Sequence, residues 1–299
     1  IGLVTYAVSV NASSLVGMPK KVDLFAQQDD RQRMDAGPPD PFLIAARWQL
    51  DPLEADKVLF TVGVGPATPL NRPVWASFTT YNGIAWIEPP TYGVPGDAIP
   101  VDKVTKPDRA YDTSTRVVVQ LALPGQWIPV PQRVRQVLSP VATRVDPISG
   151  IVSSVSSPVD QSFDVNYSVA IATDEQLADA AAAPRPGNDP AVALPGPLEG
   201  QMAQLADDVV AQAGANTWDR LNELSQSLRD KRFTAAQGAA LAVGPPDRSY
   251  AGLDRVLAEG VGFQEQYAAI WALVARSWGV PTRVVIGFLP QTSGGNGLR

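Results

Sequence analysis

Gly262-Phe263-Gln264-Glu265-Gln266-Tyr267-Ala268 leads through an apolar helical repeat into Arg276-Ser277-Trp278-Gly279-Val280-Pro281-Thr282-Arg283-Val284-Val285-Ile286-Gly287-Phe288. Tyr267, Ile270, Trp271 and Val274 recur at helical spacing and make a wide apolar stripe, which predicts a helix over 264–278 ended by Gly279. Pro281 then opens a strand over 282–289. One strand does not cover that stripe. Either strands past Arg299 complete the core, or strands of this chain do so differently.

Moving outward, the helical period continues upstream. Leu198, Met202, Leu205 and Val209 share one face, with Gly214 as the stop. Thr217 is expected to cap a second helix carrying Trp218, Leu221, Leu224 and Leu228. Ser249 is expected to start a third, with Leu253, Val256 and Leu257 inward and Gly260 at its end. Residues 173–196 read as a linker, because Pro184, Pro186, Pro190 and Pro195 forbid continuous helix.

Residues 42–172 have a different texture. The runs 42–50 and 57–64 are apolar and bounded by turn residues. Residues 73–81 alternate and meet Asn82-Gly83, a strong hairpin signal because both turn positions favour positive φ. Residues 115–123 alternate again, 141–145 and 150–155 flank a turn, and 163–171 close the series. The expected fold class is α+β: an extended segment over 1–41, an antiparallel β domain over 42–172, the linker, and an α+β core over 197–299. The start at Ile1 and the Gly-rich text before Arg299 read as part of a longer protein.

The 299 residues include no cysteine and no histidine. That excludes disulfides, thiolate nucleophiles, Cys- or His-ligated metals and triads built on imidazole. Net charge is −6 and no basic stripe appears, which excludes an electrostatic footprint for nucleic acid. No segment is long and apolar enough to span a membrane. Asp29-Asp30 and Asp207-Asp208 lack metal-loop spacing and read as solvated, so neither metal nor cofactor is expected. An arginine-rich, alanine-rich composition suggests a bacterial source.

The two halves of the 262–288 stretch resemble the core of the bacterial transglutaminase-like superfamily. Its pattern is Gly-aromatic-Cys-Glu-His-aromatic-Ala, a helix, then Arg-x-x-Gly-Ile-Pro-Ala-Arg-Val-Val-x-Gly-aromatic. Ser249-Tyr250-Ala251-Gly252-Leu253-Asp254-Arg255-Val256-Leu257 is similar to the family's short helix before the nucleophile. Residues 72–86, with Tyr81-Asn82-Gly83-Ile84-Ala85-Trp86, are similar to an aromatic hairpin of membrane-anchored members with the TgpA-like architecture.

The resemblance implies a papain-like α+β core, truncated here at its C-terminal sheet. It also implies a Cys at the N-terminus of the buried helix, activated by a His and an Asp on later strands. Gln264 stands at that Cys position and Gln266 at the motif's His, so no catalytic residue is expected. An amide side chain is neither a nucleophile nor titratable. Ser277 and Thr282 are hydroxyls, but they lie at the far end of the helix, ~20 Å from its start. Glu265 reads either as an acid or base beside Gln264 or as a first-turn carboxylate complementing the helix dipole. Arg276 and Arg283 read as structural hydrogen-bond partners. Trp218, Trp271 and Trp278 read as core.

Two functions follow from the resemblance. One is a non-catalytic domain that binds a peptide or protein of the cell envelope through Gln264, Glu265, Gln266 and Tyr267. It would be extracytoplasmic, tethered to the membrane by flanking segments, and linked in function to a MoxR-type ATPase. The other is an active amide-bond enzyme of the transglutaminase or cysteine-protease kind, using an unusual nucleophile or residues outside this chain.

Overall fold

The computed structural model describes residues 40–50, 58–63, 73–87, 110–121, 126–131, 133–146, 150–170, 172–182, 186–230, 234–235, 246–288 and 297–298. The extended segment expected before residue 40 lies outside them.

A strand-rich region precedes a helix-rich one. Helix α1 (Pro41–Leu50) is followed by β1 (Phe60–Gly63), β2 (Val74–Phe78), β3 (Thr80–Tyr81), β4 (Trp86–Ile87) and β5 (Ala110–Val119). Next come β6 (Trp127–Ile128), β7 (Val134–Leu138), β8 (Thr143–Val145), β9 (Val152–Ser154) and β10 (Ser162–Ala170). The second region holds α2 (Asp174–Ala178), α3 (Gly200–Ala213), α4 (Thr217–Asp230), β11 (Thr234–Ala235) and α5 (Tyr250–Glu259). It ends with β12 (Val261–Gly262), α6 (Gln264–Ser277), β13 (Val284–Gly287) and β14 (Gly297–Leu298).

Among the described residues the largest sheet has the order β14-β1-β5-β10-β7, antiparallel throughout. Alternation produces it. Thr115, Val117 and Val119 of β5 face inward while Ser114 and Arg116 face water. Their partners Phe163 and Val165 on β10 are fully buried. A small sheet, β6-β9-β8, closes over this face and adds Ile128, Val145 and Val152 to the same core. Asp164 and Arg116 pair at 2.7 Å on the outer face, where water screens them to little net effect.

The run 42–50, expected as a strand, is helical. Pro41 occupies the first helical position, and Asp40 Oδ1 accepts the Phe42 amide at 3.0 Å. The Asn82-Gly83 hairpin forms, but with a four-residue loop: Tyr81 pairs with Trp86 and Thr80 with Ile87. Asn82 Oδ1 accepts the amides of Ile84 and Ala85, so its side chain builds the turn in place of a two-residue primed turn. The cap of α4 is Asn216, whose Oδ1 accepts the Asp219 amide at 3.1 Å; Thr217 is already helical.

Helices α3, α5 and α6 end at the expected glycines 214, 260 and 279, all at positive φ. Ser249 caps α5, accepting the Gly252 amide at 3.1 Å. Ser249→Ala should cost about 1 kcal/mol of stability, read from the urea midpoint, with the slope of the transition unchanged.

The apolar stripe of α6 is covered from earlier in the chain. Strand β13 pairs antiparallel with β2, with Val284 opposite Phe78 and Ile286 opposite Ala76. Trp75, Phe78, Tyr81 and Trp86 enter one core with Met202, Leu205, Leu224, Leu253, Ile270, Leu273 and Val274. The core expected within 197–299 therefore includes strands from 74–87. The 173–196 stretch carries α2, with Thr173 and Gln176 as a reciprocal capping box. It is also tied down: Ala191 O accepts the Thr282 amide and Ala178 O accepts Asn216 Nδ2.

Candidate functional site

Helix α6 begins close against the Val256 side chain of α5. A Cβ on Gly262 would meet Val256 Cγ1 at 2.5 Å, so only glycine lets the chain pass α5 here. Phe263 is the extended residue before the helix and offers no side-chain cap. Gln266 supplies the missing bonds: its Oε1 accepts the Phe263 amide at 2.9 Å, and its Nε2 donates to Asp247 O at 2.7 Å. With 5% exposure and both ends engaged, this amide joins the start of α6 to the turn before α5. The Asp247 carboxylate accepts the Ser249 amide at 3.0 Å, and its hydrogen bonds to Ser249 hold its pKa below the usual range.

Gln264 is the first residue of α6 and is half-buried. Glu265 turns inward; its side chain is 11% exposed, and burial pushes its pKa up to about 7, against the opposing charge of Arg248. Tyr267 lies one turn on, half-buried, its phenol pushed up to about 12 by desolvation.

Two residues unremarked in the sequence, Arg248 and Asp40, complete this end. Arg248 Nη1 donates to Asp40 Oδ2 at 2.8 Å, while its Nη2 stands 4.0 Å from Glu265 Oε1. The guanidinium lies 4.6 Å over the Phe42 ring, which stacks on Phe78. Tyr81 Oη donates to Arg248 O at 2.6 Å, and burial raises the Tyr81 pKa far above its ordinary value. Arg248 and Asp40 were missed because an isolated charge carries no periodicity. The one signal was that an arginine precedes the Ser249 cap.

The other end of α6 is structural, as expected of Arg276. Its Nε donates to Thr282 Oγ1, Nη1 to Ala193 O, and Nη2 to the carbonyls of Thr79 and Thr282, at 2.7–3.0 Å. It stacks 5.0 Å from the Trp86 ring, and desolvation lowers its pKa to about 10. Ser277 and Thr282 both donate their hydroxyls to helix carbonyls, Val274 O and Ala272 O. Trp271 is core and donates Nε1 to Ser225 Oγ, whereas Trp218 and Trp278 are half-buried. Among the described residues no group of three or more carboxylates could hold a metal ion.

Residues 203–297 match a family model, that of the transglutaminase-like superfamily. The C-terminal half of the chain holds a transglutaminase-like domain. No curated protein and no solved structure gave a match. The transglutaminase-like domain spans α3 to β14 and includes the start of α6, where the motif puts the family's nucleophile. The chain contains no cysteine, so the domain lacks the family's thiol. What it offers at that point is a neutral amide above a buried carboxyl. The arrangement can hydrogen-bond and can hold a proton, but it cannot form a thioester.

The folded chain holds the Glu265 proton more tightly than the unfolded chain, whose carboxyl titrates near the ordinary 4.5. The stability it contributes is complete below about pH 4.5 and is lost as pH rises through about 7. Thermal unfolding should show a loss of about 3 kcal/mol across that window, which Glu265→Gln removes.

Proposed function

We propose that the transglutaminase-like domain is a non-catalytic binding module. The observation that carries the reading is the start of α6. Gln264 is the first residue of that helix, at the position where the motif has the family's Cys, and the amide of Gln266 fixes the helix start. Phe263 O already takes the amides of Gln266 and Tyr267, so donors at this helix start come from its first residues, and the half-buried Gln264 adds an amide able to donate and accept. That chemistry suits an extended peptide or an amide-bearing side chain. The half-buried Tyr267 belongs to the same proposed surface, with the inward-turned Glu265 beneath it.

The resemblance to TgpA-like members supplies the setting. The module would face the periplasm or cell wall, tethered to the membrane through flanking segments, with an envelope protein or peptide as partner. A functional link to a MoxR-type ATPase belongs to the same proposal. The competing reading, an active amide-bond enzyme, needs a nucleophile other than a thiol of this chain.

Calorimetry with cell-wall stem peptides tests the module. Gln264→Ala should weaken binding at least tenfold, by removing the amide that donates and accepts, with the unfolding temperature little changed. Equal binding by both proteins would overturn the proposed surface. Gln264→Cys should remain inert toward a glutamine donor and an amine unless a histidine reaches the thiol. Turnover by that variant without one would refute this account of the site.

A further inference from the structure

Arg248 stands between two carboxylates and satisfies one of them. Its Nη1 is at 2.8 Å from Asp40 Oδ2, a charge-assisted hydrogen bond. Its Nη2 is at 4.0 Å from Glu265 Oε1, too far for a hydrogen bond. Among the described residues Arg248 Nε, Arg248 Nη2 and Glu265 Oε1 are all buried without a hydrogen-bond partner. Orphaned polar atoms of opposite character facing one another across about 1 Å of slack indicate an interaction that this state leaves unmade.

The two carboxylates differ in what they can do without Arg248. The side chain of Asp40 is 33% exposed and can be hydrated; that of Glu265 is 11% exposed and cannot. When both are ionised, the desolvated one gains more from the guanidinium. Asp40 also begins α1. Its Oδ1 accepts the Phe42 amide and its carbonyl accepts the Ile44 amide. The Phe42 ring, under the Arg248 guanidinium, fixes that helix start to Phe78. Two charged groups face Glu265: Arg248 from the segment before α5 and Asp40 from the segment before α1. Tyr81 holds the Arg248 carbonyl from β3, and Asp247 spends its carboxylate on Ser249.

We propose that Arg248 is a two-position latch on α1. It holds Asp40 while Glu265 is neutral, and turns to Glu265 when that carboxyl releases its proton to solvent. The turn leaves Asp40 hydrated and α1 loosened from the start of α6. The titration of Glu265 near neutrality sets the working range of the latch. Rising pH thereby frees the start of α1 from Arg248, leaving it held through the Phe42–Phe78 stack.

Hydrogen exchange of the intact chain at pH 5.5 and 8.5, corrected for intrinsic rates, tests the latch. Protection of α1 should fall about tenfold or more relative to α3 across that range. In Glu265→Gln the ratio should stay constant, and in Asp40→Asn α1 should be poorly protected at both pH values. Unchanged α1 protection in the wild type, or an equal fall in Glu265→Gln, would overturn the proposal. If Glu265→Gln fails to fold, Asp40→Asn decides alone: α1 protection that still falls with pH contradicts the latch.

Discussion

Residues 197–299 expressed alone should fail to fold. Far-UV circular dichroism should show no cooperative melt for that fragment and a single cooperative melt for the whole chain. The cause is the pairing of β13 with β2. Cutting the chain before α3 removes the partner strand of β13 together with Trp75, Phe78, Tyr81 and Trp86, all at most 6% exposed. Losing one buried aromatic side chain costs about 3–5 kcal/mol, and a whole domain has only about 5–15 kcal/mol in hand. Four such losses, with an unpaired strand edge besides, exceed any such margin. A fragment that melts cooperatively would show that the helical core is self-sufficient and that β2 is an accessory.

Arg276→Ala should be the most damaging single substitution at the family motif. Arg276 is 3% exposed, and its guanidinium holds α6, the start of β13, the 186–197 stretch and the β2–β3 junction together. Its removal leaves the carbonyls of Thr79, Ala193 and Thr282 without this donor and opens space beside Trp86. Leaving a buried acceptor without its donor costs about 1–3 kcal/mol, and chemical denaturation should report a loss of about 3 kcal/mol or more for the several lost here. Arg276→Lys should recover little of it, since one ammonium cannot reach acceptors spread around a planar fork. A loss below about 1 kcal/mol in Arg276→Ala would mean that the network merely decorates a core held by its aromatics.

The two periodicities carried much of the fold. The 3.6-residue stripe places α3 to α6, with Ser249 and the glycines at 214, 260 and 279 marking ends. Alternation places β5 and β10, whose inward residues form the second core. The segment 42–50 was illegible because a continuous apolar run has no period, and the Asp40 cap that decides it lies outside the run. The β2–β13 pairing was illegible because partners far apart in sequence leave no local trace. At the site, the motif located Gln264, Glu265, Gln266 and Tyr267 at the start of one helix. It did not foretell that Gln266 would be spent on Phe263 and Asp247. Nor could it show that Arg248 and Asp40, remote in sequence, would stand over Glu265.

The proposal that this cysteine-free transglutaminase-like domain binds without catalysing has a direct test. Amine incorporation by the purified full-length protein, with casein as glutamine donor and a fluorescent primary amine, tests it most directly. The account predicts no product above the protein-free control across about pH 5–9. Product formation that disappears in Gln264→Ala or Glu265→Gln would contradict it.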